Sequence, residues 1–233
     1  MVQLLATATR SCCARSRCRP IKGVVNRRHH SSGALGGGYS KENLAYYAAS
    51  HWAAQEQDQQ SKRKRRRRIQ DDVEEDELPY ADMFHQQISS DANEWLKSHP
   101  SPSVVLARSF FSSAAFVPER FILNLATSAP TKALSDASFN VGESHLVWSV
   151  AAKSLLEMIL TWELESMGLA KGAIQLAFDP SLRRLYQGNA LKQVPDWAVP
   201  LLPLHERYAK YLLQGMVDVV ENAAQKSVAS NNE

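Results

Sequence analysis

The stretch 143-ESHLVWSVAAKSLLEMILTWELESM-167, bracketed by Gly142 and Gly168, constrains the fold more than any other part of the chain. On a helical wheel of about 100° per residue, Trp148, Ala151, Ala152, Leu155, Met158, Ile159 and Trp162 fill one unbroken apolar arc. Ser149, Lys153, Glu157, Thr161 and Glu165 step by four along the opposite side. That spacing predicts an amphipathic core helix. Gly168 ends it, because glycine adopts the left-handed C-terminal conformation without a steric penalty. Trp148, Leu155, Ile159 and Trp162 are the expected centre of the core, each aliphatic contributing roughly 1.5–3 kcal/mol on burial and each tryptophan more.

The rest of the chain supplies further helical signals. Ser40 is placed to cap a helix over 40–60, with Leu44, Tyr47, Ala48 and His51 at helical spacing. A stripe of Phe84, Ile88, Ala92 and Trp95 predicts a helix over 81–100, which Pro100 and Pro102 stop. The apolar run 103–117 suits a helix or a buried strand and is read as helix, and Pro118 opens another over 119–129. Residues 170–190 read as two short helical pieces broken at Asp179-Pro180, although Ile174, Leu176 and Phe178 also alternate as a strand would. Three prolines keep 194–203 extended, and a broad apolar face makes 204–227 a last helix. The expected fold is therefore all-α, a helical bundle-like single domain over 80–226 behind a disordered N-terminal region. A small sheet near 103–117 and 173–178 would make it α+β instead.

Charge divides the chain before that domain. The first 41 residues contain no Asp or Glu but carry Arg10, Arg15, Arg17, Arg19, Lys22, Arg27 and Arg28, among serines and small residues. This is the composition of an organellar import leader, and 27-RRHHSSGALGG-37 predicts processing between His29 and His30. Residues 1–29 are thus expected to be a mitochondrial transit peptide. Removing those seven cations from the 27 Lys and Arg leaves 20 against 24 Asp and Glu, so the expected mature protein is mildly anionic. All three cysteines, Cys12, Cys13 and Cys18, lie in the leader, which removes disulfides, thiolate metal sites and a cysteine nucleophile from the rest. Residues 30–79 are expected to be a linker with one short helix and a charged tether, and 227–233 a disordered tail.

The tether, 62-KRKRRRRIQDDVEEDE-77, sets Lys62, Arg63, Lys64, Arg65, Arg66, Arg67 and Arg68 against six carboxylates. Opposite charges this close, within a screening length of about 10 Å, compensate each other. The basic run remains the candidate partner-binding site, for RNA, an acidic protein or a lipid surface, and a nuclear signal is a further alternative.

No phosphate-binding loop, dinucleotide glycine pattern, nucleophile elbow or paired-histidine zinc motif occurs, so no catalytic residue, metal or cofactor is assigned. His51, His85, His99, His145 and His205 are scattered. Were the domain an enzyme, Glu157 with His145 or His205 would be the candidate base. No apolar run reaches the roughly 18 residues of a membrane span. The expectation by exclusion is a mitochondrial matrix protein, possible neighbour of the inner membrane, that binds another protein as an assembly factor or accessory subunit of a respiratory, proteolytic or ribosomal complex. An RNA-associated protein and a small-molecule enzyme with a helical pocket are the alternatives.

Overall fold

The computed structural model describes residues 39–64, 79–121, 137–145, 147–163, 171–192, 194 and 196–230. Helix α1 (Lys41–Lys64) is followed by strand β1 (Tyr80–Gln87), helices α2 (Ser90–Ser98) and α3 (Pro102–Ser112), and a 3-10 turn at Ala114–Phe116. Strands β2 (Ser144–His145), β3 (Trp148–Lys153), β4 (Glu157–Trp162), β5 (Gly172–Asp179) and β6 (Arg184–Leu191) come next. A second 3-10 turn, Asp196–Leu201, leads into the long helix α4 (Leu202–Ser230). The strands form one six-stranded antiparallel sheet in the order β1-β6-β5-β4-β3-β2. The all-α expectation is therefore wrong, and the architecture is α+β. Of the two places where a sheet was entertained, 173–178 lies in β5, whereas 103–117 is helical.

The expected core helix over 143–167 is instead the ladder β2-β3-β4. A β-bulge between Val150 and Ala152 inserts an extra residue. It breaks the strict alternation a strand would show, and the shifted pattern imitates a helical repeat. Once the bulge is allowed for, Trp148 and Val150 share a face with Met158, Leu160 and Trp162, while Ile159 looks the other way with Ala152. Leu155, expected in the core, sits in the β3–β4 turn and is 59% exposed. The expected helix over 81–100 is likewise a strand and a helix joined at Ile88-Ser89. The pair of helical pieces over 170–190 is the β5–β6 hairpin. Asp179 caps its turn, accepting from the Ser181 and Leu182 amides at 2.9 and 3.0 Å. Residues 196–201 are 3-10 rather than extended.

Helices cover both sides of the sheet. On the inner face α2, α3 and α4 enclose the main core, centred on Leu106, Phe110, Phe111, Phe116, Phe139, Leu176 and Met216. Ser89 caps α2 and is itself tied to Glu221 of α4 through its hydroxyl and amide, at 2.6 and 2.7 Å. Gly215 lets α4 approach the 3-10 turn, since a Cβ there would lie 2.5 Å from that of Ala115. On the outer face α1 packs through Leu44, Ala48 and Trp52 against Ile159, Ala173 and Ala190. The packing is close over Gly188, where a Cβ would meet the tips of the Leu44 and Met83 side chains at 2.6 Å. The helix placed in the linker from sequence is thus a layer of the domain, and the domain reaches back to residue 39 and on to Ser230. The expected transit peptide at 1–29 and Arg65 to Arg68 lie outside the described residues.

Candidate functional site between the sheet and the C-terminal helix

Three strands contribute polar side chains to the inner, otherwise apolar face. β6 pairs with β5 on one side and β1 on the other, so Gln187 stands between Leu176 and Phe84, and Asn189 between Ile174 and Asp82. Leu176 and Ile174 belong to the main core and Phe84 packs against it, which places Gln187, Asn189 and Asp82 under the helical layer. Asp82 is 6% exposed and accepts from Asn189 Nδ2 at 2.7 Å and from the Tyr80 hydroxyl at 3.2 Å. His205, in the first turns of α4, brings Nε2 to 3.2 Å from Asp82 Oδ2, an ion-pair distance at an angle too poor for a hydrogen bond. Burial, then the charge of Asp82, pushes the Tyr80 hydroxyl pKa upward. Tyr80 and His205 are only partly buried and their rings meet edge to face.

Gln187 is fully buried, and neither its Nε2 nor its Oε1 has a partner. Burying an unpaired amide atom costs about 1–3 kcal/mol, and native proteins seldom leave one so. The backbone offers no remedy, because β6 is flanked on both edges and its neighbours' amides and carbonyls are engaged in the ladders. The inner face therefore presents a donor and an acceptor in apolar surroundings, with an aspartate–imidazole pair nearer the solvent.

The outer face holds a second polar pair. Glu157 on β4, 4% exposed, accepts from Gln175 Nε2 on β5, and Gln175 Oε1 is unpartnered. Burial pushes the Glu157 carboxyl up to about 7, and the Gln175 hydrogen bond offsets only part of that. Tyr47 on α1 and Tyr39 just before it flank the site, the Tyr39 hydroxyl raised to about 12 by burial and by the nearby carboxylates. Glu157 and His205 thus serve opposite faces, and His145 pairs with Glu143 at 3.3 Å, so the structure does not bring Glu157 together with either of the two histidines considered from sequence. Of the basic run, Lys62 to Lys64 end α1. Among the described residues no three or more His, Cys, Asp or Glu side chains are grouped to hold a metal. Nor is any helix among them long and apolar enough to cross a membrane.

Sequence reasoning passed over Gln187, Asn189 and Asp82. The signal existed: read with a period of two, 184-RLYQGNAL-191 sets Gln187 and Asn189 on the same face as Leu185. Knowing that this face is covered required the fold. No protein-family model, curated protein or solved structure matches this chain.

Proposed function

We propose that the domain binds a small amphipathic molecule between its sheet and α4. The observation behind this reading is Gln187, wholly buried with both amide atoms unpaired on the face that α4 covers. Ligand sites combine an apolar lining with a few placed polar groups, and Gln187, Asp82 and Asn189 among Leu176, Ile174 and Phe84 meet that description. His205 and Tyr80, both partly buried, stand beside Asp82. The arginine-bearing, acid-free composition of the N-terminal stretch supports a mitochondrial matrix location for this function. Native mass spectrometry of protein purified gently from organelles tests the reading. A small mass lost on denaturation is expected, and protein that never retains one, at any stage of purification, argues against it.

A protein partner is the second reading, in which the chain acts as an accessory subunit or assembly factor. Leu204 and Tyr211 on α4 are 47% and 55% exposed, on either side of Tyr208. Tyr208 lies against Glu119, and around Glu119 Val117 and Phe121 are 50% and 65% exposed. Large apolar side chains exposed on adjoining elements suit an interface. Replacing Tyr211 and Phe121 with Ser should release a co-purifying complex while leaving a bound small molecule in place.

A further inference from the structure

The binding site proposed above, on which this inference rests, can be assigned a chemical class of ligand. Gln187 offers two N–H donors on Nε2 and acceptor lone pairs on Oε1, and both atoms are unpaired in the same buried place. A single carbonyl or ether would satisfy Nε2 and leave Oε1 bare. A carboxylate brings no donor to Oε1, and a quaternary ammonium no acceptor to Nε2. Asn189, next on the same face, donates through Nδ2 to Asp82 and makes no hydrogen bond to Gln187, whose two amide atoms are both unpartnered. The directly opposed Leu176 and Phe84 are apolar and belong to or pack against the main core, which suits a ligand with an apolar body. We infer that the site takes an uncharged molecule with an apolar body and a polar end that both donates and accepts a hydrogen bond, as in a primary amide, lactam, protonated carboxylic acid or alcohol.

Dodecanamide and methyl dodecanoate, equal in their apolar chains but differing in the donor, are the probes. Binding of each to the full-length protein is measured by native mass spectrometry in competition, for the natural sequence and for Gln187→Met, which keeps the side-chain length and removes both polar atoms. The amide is expected to bind at least about tenfold more tightly than the ester, because a site built around a hydrogen bond rejects the analogue that lacks it. Gln187→Met should erase that preference while retaining a raised unfolding midpoint. If amide and ester bind the natural protein equally, the assigned class is overturned and the binding site itself survives. If neither binds and a high-resolution structure places only an internal water on Gln187, both fall. Should Gln187→Met not fold, Gln187→Leu replaces it, and the ratio measured on the natural protein still decides.

Discussion

At the scale of single residues, two buried polar side chains carry opposite expectations. Removing the unpaired atoms of Gln187 relieves a desolvation cost, so Gln187→Met should stabilise the ligand-free protein by about 1–3 kcal/mol. Denaturant unfolding at unchanged slope reads that gain, and a loss would reveal a structural partner for the amide. Glu157 couples stability to pH. Its carboxyl is raised from 4.5 to about 7 by burial, so the folded protein holds a proton that the unfolded chain releases. That contribution is fully present below the unfolded value and is lost as pH rises through about 7, a difference of roughly 3 kcal/mol. Glu157→Gln, neutral at every pH, should be stabilising at pH 8 and nearly neutral at pH 5 when unfolding is compared at about those two values. Sequence reasoning had singled out Glu157 for its chemistry while seating it on a helix. A lone glutamate does not reveal its burial, which α1 and the sheet impose together.

Among the elements, most of the helices were legible and the strands were not. α1 shows Ser40 at its start and a short stripe of Leu44 and Ala48, α3 is an apolar run opening at Pro102, and α4 has a broad apolar face, all of them local properties. β3 and β4 were misread because a bulge at Val150/Ala152 shifts the alternation by one residue, and β5 and β6 because both their faces are buried. A strand covered on both sides loses the polar-out pattern that distinguishes it from a helix. Two glycines test how the layers meet. Gly215→Leu should cost about 1–3 kcal/mol or more, since even a Cβ would lie 2.5 Å from Ala115 Cβ, and thermal unfolding measures the loss. Trp52→Ala removes the largest anchor of α1, a residue 3% exposed. Amide exchange should then accelerate along α1 and leave α4 protected. Equal acceleration in both would mean that the outer layer does not open independently.

For the molecule as a whole, charge and composition speak about destination, and packing about the interior. The basic run Lys62 to Arg68 and the carboxylates after it are expected to act as a self-compensating tether. Replacing all seven cations with Gln should leave co-sedimentation with RNA unchanged at low and at moderate salt, whereas a phosphate-binding arm would lose affinity and salt dependence together. Residues 1–40 fused to a fluorescent reporter should direct it to mitochondria, and a diffuse or nuclear signal would remove the basis for that localisation. What the sequence determined by itself is local: an arginine-bearing, acid-free N-terminal stretch that holds all three cysteines, the first helix with Ser40 at its start, and the last helix. Charge and helical periodicity act over neighbouring residues and need no fold to be read. Tertiary structure alone decided that Asp82, Gln187 and Asn189 share one buried face, because β1 and β6 meet only by pairing across more than ninety intervening residues. It also decided that Glu157 lies beneath α1. Burial is a property of what covers a side chain, and in this chain the cover comes from elements remote in sequence.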